Sequence, residues 1–325
     1  MRNPTRVATA GRLHGRRSAR TLEQRGFLSP TGGEGKGEGA SQRMAASLGE
    51  GSAGTARAWQ GRQPVSTRSF NLCNLPPWVV ASRHFCDHPQ PIEIQGVREA
   101  NRFLFTLLDG IDSPEERALR FDAFVSVKFQ LHHWRAQATA TARRSLRNGY
   151  TRFLRGWGFD SSSIEGAVLK AWVESRFGIP PTFHRESIPD PDSEPYYRFA
   201  VDRMKGSACT SGINDQLDLL YSFTQYELRR RRPGERWITL WRGLHDAADE
   251  LVLERAGRDL VVRANSLSSF TDDAERAWEF GNKVWEARVP VPRIVSFPGL
   301  LPPSILQGER EWLVVGGELR VRMVR

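Results

Sequence analysis

The chain has 325 residues and a formal net charge of +10, enough length for one large domain or two small ones. The charge is concentrated at one end. Residues 1–68 hold 12 basic and 4 acidic side chains, a net charge of +8, and the remaining 35 basic and 33 acidic residues give only +2. The folded part is therefore nearly neutral, which argues against a nucleic-acid enzyme.

The N-terminal segment 1–68 is rich in Gly, Ser, Ala and Arg and poor in large apolar residues. Such a segment buries too little surface to offset its ordering entropy, so we predict a disordered basic tail. Two alternatives stay open: an organelle targeting segment, or a mis-called start with the true start at Met44. No apolar stretch approaches the roughly 18 residues that span a bilayer, so we predict no membrane span.

The next part of the chain, 69–234, has the patterns of helices. Apolar residues at helical spacing predict one helix over 97–111, and Ser113 with Glu116 forms a capping box before the next. A similar pattern at 162–165 opens a helix that ends at Gly178. Prolines at 180–181 and 189–191 predict a long surface loop.

A further helix is predicted from about Asp215 to the run Arg229–Arg232, which Pro233-Gly234 follows. The four arginines are either a docking patch for an acidic partner or a solvated helix end favoured by the helix dipole. The helix-dipole interpretation is the simpler one.

The last part, 235–325, has short apolar and β-branched runs that predict strands. We predict strands over 237–242, 260–268, 284–289, 293–297, 311–315 and 318–324. A helical first part followed by a strand-rich second part predicts an α+β fold with one compact catalytic body, so we treat 69–325 as one domain.

The cysteines Cys73, Cys86 and Cys209 are odd in number and have no Cys-x-x-Cys spacing, which favours reduced structural thiols. His84, Cys86 and His88 alternate and could bind a metal. No fourth ligand stands at a suitable spacing, so we predict no metal site.

Two carboxylates, Glu309 and Glu311, stand two residues apart at the start of an apolar run. On a strand they share one face, where like charges raise each other's proton affinity. An isolated pair of this kind is typical of a solvated strand edge. Two upstream features favour a working site instead.

The first feature is Arg242, at the end of a run that predicts a buried strand, where a guanidinium needs an anionic partner. The second is the hydroxyl-rich strand end 265–271, which runs directly into a short helical pattern. Thr271 is the predicted N-cap of that helix, with Asp272 and Asp273 in its first turn and Gly281 at its end.

In this order, the arginine strand, the serine strand with its helix and the Glu-x-Glu strand resemble the arginine–serine–glutamate class of mono-ADP-ribosyltransferases. Residues 71–78 (NLCNLPPW) and 96–101 (GVREAN) are similar, more specifically, to the dinitrogenase reductase ADP-ribosyltransferases. The resemblance runs from about Phe70 to the end. It implies an ADP-ribosyltransferase-like fold, with a helical lobe beside a core of two facing sheets and an NAD cleft between the sheets.

The resemblance also implies roles for the two glutamates. Glu311 matches the glutamate that holds the ribose 2′-hydroxyl of NAD and stabilises the cation formed on the sugar. Glu309 matches the acid that orients and helps to deprotonate the acceptor guanidinium in arginine-specific members.

The remaining site residues implied by the resemblance bind NAD. Arg242 matches the arginine that contacts the phosphates and ribose, and Gly243 offers backbone groups to the nicotinamide amide. The usual serine-threonine-serine motif is replaced by Ser269-Phe270-Thr271, with Ser268 just before. Which of these hydroxyls supports Glu311 stays open.

By the same resemblance, NAD is the co-substrate, dinitrogenase reductase is the acceptor, a PII-type nitrogen-signalling protein is the activator, and the location is cytoplasmic. The segment 298–308 is expected to contact the acceptor through exposed Leu300, Leu301, Ile305 and Leu306, although these residues could also pack a loop onto the core. Two other hypotheses are a toxin-like transferase with a different target and a non-catalytic NAD-binding module.

Overall fold

The computed structural model describes residues 70–131, 149–208, 212–245, 251–302 and 310–324, all within one compact unit, Gln63–Arg325. Helices dominate the first part of this unit, and strands dominate the second. The helices before the main sheet are α1 (Pro77–Val80), α2 (Arg83–Asp87), α3 (Val97–Ala100), α4 (Arg102–Asp109), α5 (Pro114–Lys128), α6 (Tyr150–Phe159), α7 (Ile164–Phe177), α8 (Glu194–Ser207) and α9 (Ile213–Arg231). The α+β prediction is confirmed.

The helix starts predicted at 113 and within 162–165 are confirmed by their caps, the second of which is Ser163. The Ser113 hydroxyl accepts a hydrogen bond from the Glu116 N–H, and the Ser163 hydroxyl accepts one from the Gly166 N–H. Gly178 ends α7 in the left-handed conformation, with φ of 71°. A side-chain cap and a glycine at the helix end each depend on residues close in sequence, so both can be predicted from the sequence.

The single helix predicted over 97–111 is wrong, because the chain breaks at Asn101 into α3 and α4. The Asn101 side-chain amide donates to the Val97 carbonyl at 2.7 Å, the same carbonyl that accepts from the Asn101 backbone N–H. The predicted surface loop is also wrong in part. Pro180 and Pro181 are buried, and a small hairpin of β1 (Phe183–His184) and β2 (Glu186–Ser187) follows them.

The main sheet contains β3 (Trp237–Leu244), β4 (Leu251–Ala256), β5 (Asp259–Thr271), β6 (Lys283–Pro290), β7 (Ile294–Ser296) and β8 (Glu311–Val324). Its hydrogen-bonded order is β4-β5-β3-β6-β8-β7, and β5 also pairs with β8, all antiparallel. The six strands are thus joined by continuous pairing. The predicted division into two facing sheets stays a prediction.

The predicted strands 311–315 and 318–324 are one strand of 14 residues, β8. The sequence predicted that the strand breaks at Gly316-Gly317, but β8 continues through both glycines, which allow close packing at this point. A Cβ at Gly316 would lie 1.7 Å from the Asn265 carbonyl oxygen on β5. The pairing of β5 and β8 shifts register at this point, between Ala264 and Leu267.

The helix α9 lies at the centre of the helical part and is buried along most of its length. Phe223 on α9 stacks on Phe121 of α5 at 4.1 Å between ring centroids, and Glu227 forms a buried ion pair with Arg117 at 2.6 Å. Thr224 donates to the Val295 carbonyl at 2.7 Å, which fixes α9 against β7. The helical part therefore supports the strand that pairs with the start of β8.

Leu300 and Leu301 are buried, at 0% and 6% exposure, so the prediction that they are exposed contact residues is wrong. They pack the start of this segment onto the core, and Ile305 and Leu306 lie outside the described residues. No helix among the residues that the structure describes is long and apolar enough to cross a membrane.

Candidate active site

The carboxylate of Glu311 lies where β8 begins and β5 ends, since Glu311 and Thr271 are paired in register. Ser269, two residues earlier on β5, lies on the same face as Thr271. Its hydroxyl donates to Glu311 Oε1 at 2.5 Å. The register of β5 and β8 therefore selects Ser269 as the hydroxyl that contacts this glutamate.

A second donor reaches the same carboxylate from the helical part. The indole N–H of Trp157, on α6, lies 2.8 Å from Ser269 Oγ and 3.1 Å from Glu311 Oε1. The Trp157 side chain is buried, and Lys170 of α7 lies 5.7 Å from its ring centroid. Two donors on one oxygen hold the carboxylate and stabilise its charge.

The arginine predicted from the buried strand, Arg242, lies beside this group. Its Nη1 donates to the Ser269 carbonyl at 2.8 Å, and its guanidinium carbon lies 6.0 Å from the Phe270 ring centroid. The contact ties β3 to β5 at the end where the two strands meet, at the pair Trp241 and Thr271. Arg242 is partly exposed and faces the cleft described next.

A half-open cleft of about 280 Å³ contains these groups. Its lining combines the carboxylate, three arginines and several aromatic rings. The lining residues are Trp157, Gly158, Phe159, Asp160, Ser161, Trp241, Arg242, Gly243, Ser269, Phe270, Thr271, Arg276, Phe280, Arg310 and Glu311. Phe159 and Phe280 are exposed at its rim.

Gly243 also lines the cleft, and the packing explains why this position is glycine. A Cβ there would lie 1.9 Å from the Ala277 carbonyl oxygen of α10 (Ala274–Ala277). Any side chain at position 243 would push this helix away from β3. The glycine thus sets the width of the cleft between β3 and α10.

The residue that caps α10 is Asp273, so the predicted N-cap at Thr271 is wrong. The Asp273 carboxylate accepts from the N–H groups of Glu275 and Arg276, whereas Thr271 is still in β5 and accepts from the Asp273 N–H. Arg310 forms ion pairs with Asp272 at 3.1 Å and with Asp273 at 3.3 Å. These pairs join the residue before Glu311 to the turn after β5.

Comparison with known proteins assigns the chain to a family. The model of the dinitrogenase reductase ADP-ribosyltransferase (DRAT) family matches residues 70–323. The chain belongs to this family. A relative from Rhodospirillum rubrum, the NAD(+)–dinitrogen-reductase ADP-D-ribosyltransferase, is 40% identical over 267 residues, which cover 80% of this chain and 96% of the relative. No solved structure matches the chain.

Among the site residues predicted for this DRAT family member, the structure brings together Glu311, Arg242, Gly243, Ser269 and Thr271. Ser268 is not among them: it is buried on the opposite face of β5, and its hydroxyl has no hydrogen-bond partner among the described residues. Glu309 lies outside the described residues.

Trp157 was missed by the sequence reasoning, as was the whole of α6. Phe153, Leu154 and Trp157 form an apolar helical pattern that indicates core packing and nothing more. The one available signal was that a buried tryptophan N–H needs an acceptor. That signal does not say which acceptor.

The cysteines of the described DRAT domain are consistent with structural roles. Cys73 and Cys86 are free and buried, and burial raises the pKa of each thiol. The Cys86 thiol donates to the Glu318 carbonyl at 3.3 Å, while the rings of His84 and His88 contact each other. No group of three metal-binding side chains occurs among the described residues, and Cys209 lies outside them.

Proposed function

We propose that the protein transfers ADP-ribose from NAD to a surface arginine of dinitrogenase reductase, which inactivates nitrogenase. The observation that carries the proposal is the meeting of Glu311, Ser269 and Arg242 in one cleft, in a chain of the DRAT family. The activity named for the R. rubrum relative supports both NAD and this acceptor.

The first step breaks the bond between nicotinamide and its ribose. The bonding electrons leave with nicotinamide, so positive charge develops on the sugar, and a fixed carboxylate beside that carbon stabilises the transition state. We assign this role to Glu311. Ser269 and Trp157 hold the carboxylate in place before NAD arrives, so little reorganisation is needed during the reaction.

The other groups of the cleft suit the rest of the NAD molecule. Arg242, with Arg276 and Arg310 on the same lining, gives the cleft positive groups for the pyrophosphate. The exposed rings of Phe159 and Phe280 offer flat apolar surface to nicotinamide or adenine. We infer that NAD binds here, with the Gly243 backbone at the nicotinamide amide.

The second step joins an arginine nitrogen of the acceptor to the ribose carbon. A fully protonated guanidinium is a poor nucleophile, so a base must take a proton as the bond forms. We assign this role to Glu309, two residues before Glu311 in the chain. On family resemblance alone, we also propose a cytoplasmic location and a PII-type protein as activator.

The test is transfer of labelled ADP-ribose from NAD to purified dinitrogenase reductase, with nicotinamide release measured in parallel. Glu311→Gln should abolish both activities, because loss of one stabilising charge costs about 3 kcal/mol or more, a hundredfold or greater in rate. Glu309→Gln should reduce transfer much more than slow NAD hydrolysis, because hydrolysis does not use the acceptor.

Two results would contradict these assignments. A folded Glu311→Gln variant with normal nicotinamide release would remove Glu311 from the reaction. Equal transfer to dinitrogenase reductase and to unrelated arginine-containing proteins would support the toxin-like alternative with another target.

A further inference from the structure

The run Arg229–Arg232 at the end of α9 does not act as one charged patch. Arg230 donates to the Leu108 carbonyl at 3.0 Å, and Arg231 pairs with Glu227 at 2.7 Å. Arg232 pairs with Glu235 at 3.1 Å. Arg229 differs from the other three, because it has no hydrogen bond or ion pair among the described residues.

Arg229 lines a cavity of about 390 Å³ on a different part of the molecule from the cleft of Glu311. The walls are the segment before α3, the face of α9 that includes Ser222 and Gln225, and the short turn at Val291. This cavity is larger than the cleft and shares no lining residue with it. It is therefore a separate candidate binding site.

A second arginine, Arg98 on α3, lines the same cavity. It contacts the Phe105 ring at 4.8 Å and, within the described ranges, makes no hydrogen bond or ion pair. Arg229 is an exposed residue of the lining, and its partial desolvation and the nearby positive charge of Arg98 both lower its pKa. Two guanidinium groups facing one cavity without a bound carboxylate repel each other, and an anion between them would relieve that repulsion.

The other charges in the cavity limit the size of such a ligand. Glu93, Glu99 and Glu235 also belong to the lining, and Glu93 is close enough to act on the charge of Arg229. A third arginine of the lining, Arg236, donates to the Pro89 carbonyl at 3.0 Å. The glutamate carboxylates oppose a polyanion such as nucleic acid. A small molecule with a single anionic group can lie against the arginines and away from the glutamates.

We propose that this cavity binds a small anion, a carboxylate or a phosphate, between Arg98 and Arg229. Nitrogen–oxygen pairs between guanidinium and carboxylate or phosphate are planar and often bidentate, so arginine suits either anion. The proposal does not depend on the transferase activity, because no residue of the cleft takes part.

The test is calorimetric titration of the full-length protein with inorganic phosphate and, separately, with acetate, at constant ionic strength. At least one anion should bind, and Arg98→Ala or Arg229→Ala should weaken that binding tenfold or more. Arg120→Ala is the matched control, because Arg120 is exposed on α5, pairs with Glu116 and lies outside the cavity. It should bind as the unchanged protein does.

Phosphate binding alone would assign a phosphorylated ligand, and acetate binding alone a carboxylate ligand. The proposal is overturned if neither anion binds, if both alanine variants bind normally, or if saturating NAD displaces the anion. Should an alanine variant fail to fold, Arg98→Lys and Arg229→Lys keep the charge but lose the two-pronged geometry. They should still weaken binding, and normal binding by both would also overturn the proposal.

Discussion

At the scale of single residues, Trp157 connects the helical part to the Glu311 carboxylate through one N–H group. Its contacts with Ser269 and Glu311 cross from α6 to both site strands. A hydrogen bond to a charged group contributes about 1.5–3 kcal/mol. In the mechanism that we propose, Trp157 is therefore a positioning residue that acts through Glu311.

Replacement of Trp157 by Phe keeps most of the buried ring and removes only the donor. We expect kcat for nicotinamide release to fall about tenfold, with KM for NAD nearly unchanged, because the carboxylate loses one of its restraints. Steady-state kinetics measure both constants.

Trp172→Phe is the matched control for this experiment. The Trp172 N–H donates to Asp218 at 2.7 Å inside the helical part, away from the cleft. This variant should lose stability and keep kcat. If Trp157→Phe also lost stability while keeping kcat, Trp157 would be only a core residue.

From the sequence, Arg242 and Glu311 were easier to single out than the neutral residues that line the same cleft. Arg242 and Glu311 are conspicuous because a charge at the end of an apolar strand needs a reason. The choice between Ser268 and Ser269 could not be made, because adjacent hydroxyls differ only in the face of β5 they occupy. Register with β8 decides that face, and it is a long-range property.

At the scale of secondary structure elements, the end of α9 is held against the segment that follows β7. Arg231 pairs with Glu227, donates to the Gly299 carbonyl at 2.9 Å and lies over the Phe297 ring. It thus links α9 to the segment after β7. The sequence suggested that the arginine run was either a docking patch or a solvated helix end. Arg231 is neither, because its contacts are internal.

Replacement of Arg231 by Ala should lower the free energy of unfolding by about 1–3 kcal/mol, because buried Glu227 loses one of its two arginine partners. Arg232→Ala removes an exposed pair and should cost about 0–1 kcal/mol. Urea denaturation of both variants measures the difference. Equal losses would show that the internal contacts of Arg231 add nothing to stability.

The hairpin of β1 and β2 carries a buried histidine that should make stability depend on pH. Burial, and then the nearby Lys170 charge, lower the pKa of His184 to about 4, against the opposing effect of Asp202. Arg185, which pairs with Asp202 at 3.0 Å, adds to the lowering. His184 Nδ1 has no acceptor within the described part of the chain, so a proton there has no partner.

The unfolded chain therefore binds this proton more readily than the folded one. The contribution of His184 to the free energy of unfolding is fully present above about pH 6.5. It is lost as the pH falls towards 4, by about 3 kcal/mol in total. His184→Gln should flatten the loss of stability over this window, measured by urea denaturation from pH 7.5 to 4. Identical pH profiles for the two proteins would contradict the assignment.

Local signals predicted several elements, and tertiary packing decided the others. The caps of α5 and α7 were visible because each depends on residues close in sequence. The helices α6 and α8 were missed, as was β4, whose role is to pair at the edge with β5. The single length of β8 could not be seen, because Gly316-Gly317 normally interrupts a strand.

At the scale of the whole molecule, the order of helices and strands predicted the α+β class correctly. The closing contact between β5 and β8 was not predicted, because it joins residues about 50 positions apart and has no local signature. This contact creates the site. The boundary predicted at 68/69 stays a prediction.

Deletion of residues 1–68 should leave folding and catalysis nearly unchanged, because the family match begins at residue 70. Thermal unfolding and nicotinamide release of the shortened protein test this. A lost thermal transition, or a large loss of turnover, would show that the boundary is wrong.

The close approach of Gly316 to Asn265 has a consequence for the kinds of mutation that the gene can accept. Within the segment from Glu311 to Gly316, an insertion or deletion should be more harmful than a substitution. A one-residue shift in register would turn Glu311 away from Ser269 and towards the core. The turn at Gly257, where β4 meets β5, keeps its glycine at a φ of +65° but faces open space, so an inserted residue there would meet no neighbouring atoms. Length variation among relatives should therefore collect at that turn and be missing from the first six residues of β8.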